Sequence, residues 1–210
     1  MSERGRVKAA AYGVSGVWSL VLLIAGVRVP GTWVKVLSVV PIAVVAIFAL
    51  FDNWIWRLGR VKRLVHRPQL NGTWKGTLVS LREDAQGRET EHNPIPIFVV
   101  IYQSYLTLSV CLMSEESKSR SIATVLEKSQ PHEYTIYYHY NNLPGLLVRG
   151  GSPAHTGGAR IEVNGVTPTT LTGEYWTDRR TRGTFIAERV SSSKYGSWTE
   201  ANESLEGVRG

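Results

Sequence analysis

LNGTWKGTLVSLR, residues 70–82, has a period of two. Leu70, Gly72, Trp74, Gly76, Leu78 and Ser80 fall on one face, and Asn71, Thr73, Lys75, Thr77 and Val79 on the other. Side chains alternate across a strand, so this stretch reads as β. Gly72 and Gly76 flank Trp74 on the same face. Glycine inside a strand marks a sharp bend or a close approach, here around a bulky inward ring. The pattern recurs late in the chain, where Leu171, Gly173 and Tyr175 follow the same Leu-Gly-aromatic order. Two such strands point to a sheet that coils until it closes.

Working outward, the β pattern continues to about residue 190. Pro96–Met113 reads as two strands around a turn near Gln103–Tyr105. Further strands are expected at 119–128, 132–140, 160–166, 169–178 and 184–190. They are rich in Tyr, Ile, Val and Thr. QGRE, EESKS, NNLPG, GGSPAHTGG, NGVTP and DRRTRG punctuate them as turns. About eight short strands at even spacing fit a sandwich or a closed barrel, and the two glycine-aromatic strands favour the latter, an eight-stranded antiparallel closed barrel, lipocalin-like, over residues 64–190. Such a barrel is just wide enough to fill with side chains or to hold one small ligand. Residues 191–210 are polar and rich in Gly, Ser and Glu, and are expected to form a partly disordered tail.

Upstream the pattern changes. Residues 9–27 and 36–51 are apolar and hold no charge. A bilayer span needs about 20 mainly apolar residues. The first run meets this. The second does so when counted from Gly31, with Lys35 reaching toward the headgroups. Neither run has the polar stripe of a surface helix. A cleaved leader fits poorly, because no A-x-A-like site follows and a second apolar run comes at once. Residues 1–63 are therefore expected to form a two-helix transmembrane hairpin, with spans at about 9–27 and 31–51 and a basic linker. Gly13, Ser15, Gly16, Ala25 and Gly26 would let neighbouring helices approach closely.

The charge distribution supports this division. The chain of 210 residues carries net charge +7. Residues 1–63 hold nine Lys/Arg and two acids, while residues 64–210 hold fifteen of each. The basic excess flanks the apolar runs, so it speaks for membrane topology and against a long polyanion as partner. Positive-inside counting puts both termini, and the barrel with them, in the cytoplasm. Trp54 and Trp56 sit where interfacial aromatics are expected. The single cysteine, Cys111, excludes an internal disulfide and reads as a small buried hydrophobe.

No catalytic or metal constellation is evident. His66, His92, His132, His139 and His155 are not at ligand spacing, and there is no G-x-S-x-G, P-loop or HExxH. The strands do carry more aromatic and cationic groups than a small core needs. Tyr102, Tyr138 and Tyr175 are candidates to stack on a ligand's rings, and Arg120 and Arg180 to contact phosphate. Alternation places Tyr138 and Tyr140 on one face and Tyr137 and His139 on the other.

Two apolar runs, a β domain opening on LNGTWKG and the closing pattern LTGEYWTDRRTRGTF, residues 171–185, resemble a known family. It is the two-transmembrane, β-strand-rich effectors of bacterial CBASS anti-phage systems. The resemblance implies a minimal barrel that binds a cyclic dinucleotide made by a partner cGAS/DncV-like nucleotidyltransferase. It implies no cofactor and no catalysis. Ligand binding would drive self-association and disruption of the bacterial inner membrane, killing the infected cell. The alternative that the residues leave open is a membrane-tethered, lipocalin-like carrier of a lipid or other apolar ligand. Cavity polarity separates the two, since phosphates need at least two cationic or strong donor groups.

Overall fold

The computed structural model describes residues 12, 13, 16–18, 20, 31–83, 89–91, 93–147, 150 and 153–207. They fall into two compact units.

The first unit is N-terminal and helical, and includes residues 104–107. The described residues between 12 and 20 are helical, and the rest of the first expected span lies outside the described residues. Helix α1 (Gly31–Asn53) covers the second. Among the described residues no helix is long and apolar enough to cross a membrane. The side chains at 31–39 and 42 lie outside the description, and those of Val40, Val44, Val45, Ile47, Phe48 and Leu50 are exposed. The linker does not prolong α1. A 3-10 turn (Ile55–Arg57) and an extended Leu58 interrupt it before α2 (Gly59–Val65). Trp56, expected among interfacial aromatics, is instead fully buried. Its indole Nε1 donates to Asp52 O at 3.0 Å, which satisfies the polar atom that would otherwise favour an exposed site. Trp54 is 63% exposed.

The second unit contains the barrel. Its strands are β1 (Gly72–Glu83), β2 (Glu89–Glu91), β3 (Ile95–Gln103), β4 (Leu108–Met113), β5 (Ser117–Gln130), β6 (Glu133–Pro144), β7 (His155–Asn164), β8 (Thr170–Thr177) and β9 (Thr181–Ser191). All pairings are antiparallel, in the order β2-β1-β3-β4-β5-β6-β7-β8-β9, and β1 also pairs with β9. β2 and β3 lie along the same edge of β1, opposite Leu81–Glu83 and Gly72–Leu78 respectively. They occupy one barrel position, which gives the closed eight-stranded barrel.

Closure puts the predicted face inside. Trp74 is fully buried, and its Nε1 donates to Leu70 O at 3.1 Å. A Cβ on Gly76 would lie 2.0 Å from Ile186 O, so only glycine lets β1 and β9 approach there. Phe185 on β9 is the register partner of Gly173 on β8, and a Cβ on Gly173 would meet the Phe185 ring at 2.2 Å. Trp74, Ile97, Val99, Ile101, Ile136 and Ile161 belong to the apolar core.

The lower end is plugged by the chain entering the barrel. Leu70 and Pro68 are buried. The Gln103 carboxamide accepts from Leu70 N at 2.8 Å and donates to Pro68 O at 2.9 Å. The Tyr134 hydroxyl donates to His66 O, and the Arg189 guanidinium donates to Gln69 O and Asn71 O.

The expected disordered tail needs correction. Trp198–Glu206 form helix α3. Ser197 caps it by accepting from Glu200 N at 3.2 Å, and the Glu200 carboxylate accepts from Gly196 N at 2.6 Å. Trp198, Ala201 and Leu205 share one helical face and cover the outer wall at Phe98, Val100, Cys111 and Met113. Burying that apolar wall outweighs the polar composition of the segment.

Candidate functional site

At the end opposite the plug the barrel opens into a cavity of ≈ 450 Å³. The ends of β1, β4, β6 and β8 and the starts of β3, β5, β7 and β9 surround it. Its chemistry changes with depth. Leu78, Ile97 and Leu112 make the apolar floor. Above them stand Tyr138 on β6 and Tyr175 on β8, with small Ala159 between them on β7 in the paired register. Tyr140 comes next, facing Gly157. A Cβ on Gly157 would sit 2.5 Å from the Tyr140 hydroxyl, so glycine makes room for that group. Asn142, Ser119, His155 and Arg179 stand at the rim. Glu115 and Glu116 also belong to the lining.

The polar atoms of β6 are unusual. Tyr138 and Tyr140 are each 6% exposed and Asn142 is 8% exposed. Among the described residues none of their side-chain polar atoms has a hydrogen-bond partner. All three line the cavity, where a ligand or water can supply one. Burial pushes both tyrosine pKa values well up. For Tyr138 the neighbouring Tyr140 adds to this, and for Tyr140 the neighbouring Tyr175 does. Both therefore stay neutral hydroxyls, able to donate. Burial raises Tyr175 too, and a hydrogen bond with Ser80 acts the other way. Burial lowers His155, so its ring is neutral at pH 7, although its contact with Pro153 O opposes that shift. That contact, from Nδ1 at 3.2 Å, leaves Nε2 as an acceptor when Nδ1 carries the proton.

The five candidates from the sequence separate. Tyr138 and Tyr175 line the cavity. Tyr102 does not, because its neighbour Ile101 points inward and alternation sends Tyr102 to the outer wall. There Lys194 stands over its ring at 5.7 Å. Arg120 is exposed and lies opposite Cys111, which is on the same outer wall. Arg180 sits in the β8–β9 turn with φ of 59°, exposed and outside the lining. Arg179, one residue earlier, lines the cavity. Asn142 and His155 were missed because they lie in segments that read as turn punctuation, NNLPG and GGSPAHTGG.

A closed barrel plugged at one end, with a cavity of graded polarity at the other, is a small-ligand-binding barrel. Residues 65–189 match the family described as "Cap15, cyclic dinucleotide receptor domain", and the chain belongs to that family. CD-NTase-associated protein 15 of Staphylococcus schleiferi is 28% identical over 131 residues, 62% of this chain and 64% of that protein. The chain thus spans less than two thirds of that relative's length. A redesigned β-barrel of known structure is similar at 13% identity, with a TM-score of 0.36 over 58% of this chain and 91% of the other.

Proposed function

We propose that this chain is a cyclic-dinucleotide-sensing CBASS effector that binds its ligand at the barrel mouth. The observation that carries the reading is the cavity of the receptor-domain barrel, with an apolar and aromatic floor and unpartnered donors above it. Nucleobases stack on aromatic faces, Arg179 offers a cationic group for phosphate, and the tyrosine hydroxyls offer further donors to the ligand. A lipid carrier would be apolar throughout, and this lining is not. The chain acts as a sensor without catalysis, and the nucleotidyltransferase that supplies its ligand is a separate protein.

The finer reading concerns the membrane. Two uncharged runs in the sequence and the exposed apolar side chains of α1 support an inner-membrane hairpin with cytoplasmic termini. A two-helix hairpin is too thin to enclose a pore, so damage requires several copies. Ligand-driven self-association is the route by which the barrel would act on the bilayer.

The test uses the full chain in nanodiscs or detergent, titrated with cyclic dinucleotides and with fatty acids. A cyclic dinucleotide at 100 times its Kd should add about 2.7 kcal/mol of stability. The same ligand should produce higher oligomers and vesicle leakage. Stabilisation by fatty acids alone would replace the sensor reading with the carrier. Tight binding with sealed vesicles would keep the sensor and remove the membrane-disrupting step.

A further inference from the structure

The inner edge of the cavity holds a set of groups whose type and spacing go beyond general anion or ring binding. Tyr138, Tyr140 and Asn142 alternate along β6, so all three face inward at successive heights. Elsewhere inside the barrel, buried polar side chains are satisfied: Trp74 Nε1, the Gln103 carboxamide and the Tyr134 hydroxyl all have backbone partners. On β6 they are not, although their neighbours supply groups of the right kind. Asn142 stands directly opposite Ser119 on one side and His155 on the other. Ser119 Oγ already donates to Leu112 O, at 3.4 Å, and His155 Nδ1 already contacts Pro153 O. The carboxamide is left with its donors and its acceptor open to the cavity.

An amide that faces a cavity with no protein partner is available to pair with a ligand, and pairing there is worth about one hydrogen bond. A carboxamide presents a donor beside an acceptor in one plane. That is the complement of a nucleobase edge offering an acceptor beside a donor, as adenine does at N7 and N6. Guanine's N1–H and exocyclic N2 amine offer two donors side by side and are matched by a carboxylate. A site built to pair with one pattern discriminates against a ligand lacking it more strongly than an apolar pocket does.

We propose that the inward face of β6 reads the base edge of the ligand, with Asn142 as the specificity-determining residue and the Tyr138 and Tyr140 hydroxyls as supporting donors. This rests on the cyclic dinucleotide reading given above. It assigns the discrimination to β6 and leaves the phosphates to Arg179 at the rim.

The experiment measures the affinity of the full chain in detergent for cyclic di-AMP, cyclic di-UMP and cyclic di-GMP, before and after Asn142→Asp. The substitution keeps the side-chain shape and replaces the donor by a second acceptor. The ratio of affinities is expected to move toward cyclic di-GMP by about tenfold or more, the scale of one hydrogen bond gained or lost. Tyr140→Phe, which removes one oxygen, is expected to weaken the preferred ligand by about tenfold with an unchanged melting temperature. It decides the matter for β6 if Asn142→Asp does not fold. Tyr137→Phe, on the outer face of the same strand, should leave affinities unchanged. Unaltered affinity ratios in folded Asn142→Asp, or unaltered affinity in Tyr140→Phe, overturn the proposal while the sensor reading stands. If the unaltered chain binds no cyclic dinucleotide, both fall.

Discussion

The two ends of the barrel treat buried polar atoms in opposite ways. At the plug, several polar side chains are matched to backbone groups: Trp74 to Leu70, Gln103 to Pro68 and Leu70, Tyr134 to His66, Arg189 to Gln69 and Asn71. At the mouth, Tyr138, Tyr140 and Asn142 are also largely covered, but they line the cavity and have no such match among the described residues. The same strands run through both ends, so the fold does not force the difference. Satisfied groups at one end hold the barrel shut. Open groups at the other are available to a ligand. Stability and binding are thereby divided along one axis, which is how a small domain can keep a polar cavity without losing its core.

The largest expected effect is at the plug. Trp74→Ala removes a fully buried ring, its hydrogen bond to Leu70 O and its contact with the Arg189 guanidinium, 5.3 Å above it. Truncating a core aromatic costs about 3–5 kcal/mol. Denaturant unfolding of the full chain in detergent should show a loss of that size in the barrel transition. An unchanged midpoint would mean that Trp74 does not support the closed end, and the contrast between the ends would fail there.

Gln103→Leu comes next. The carboxamide serves two backbone groups of the entering segment, and leucine leaves both Leu70 N and Pro68 O without it. Leaving buried backbone groups unpaired costs about 1–3 kcal/mol. The melting temperature should fall accordingly, and amide exchange at Leu70 should quicken. Unprotected exchange at Leu70 already in the unaltered chain would show that the plug is not closed by this bond.

Which parts of this division were legible in the sequence follows from what each signal depends on. Period-two alternation and turn residues are local, and they placed the strands, the inward Trp74 and the shared face of Tyr138 and Tyr140. α3 was also written locally, in Ser197-Trp-Thr-Glu200, a Ser-x-x-Glu start signal followed by apolar residues at 198, 201 and 205. The polar composition around it hid the pattern. The site depends on register across several strands, which no local signal carries. Residue type suggested Tyr102 and Arg120, yet closure sends both to the outer wall. Arg179 and Arg180 are indistinguishable as letters, yet Arg179 lines the cavity and Arg180, in the left-handed region, does not. Asn142 looked like the beginning of a turn because asparagine and proline stand close together there. In fact β6 runs on to Pro144.

The smallest effect gives the sharpest comparison, because its sign is reversed. Asn142→Leu makes the same kind of change at the mouth that Gln103→Leu makes at the plug: a buried carboxamide becomes an apolar side chain of similar size. At the plug two partners are abandoned. At the mouth no protein partner among the described residues is lost, and an amide that faces the cavity is replaced by an apolar group in a mostly covered position. Stability should therefore stay level or rise by up to about 1 kcal/mol, read as a melting temperature equal to or a few degrees above that of the unaltered chain. Binding of the preferred cyclic dinucleotide should weaken in the same variant. Asn142 would then add nothing to the fold while strengthening binding, as expected of a group that acts on the ligand. A fall in melting temperature as large as that of Gln103→Leu would place Asn142 among the structural groups and erase the distinction between the two ends.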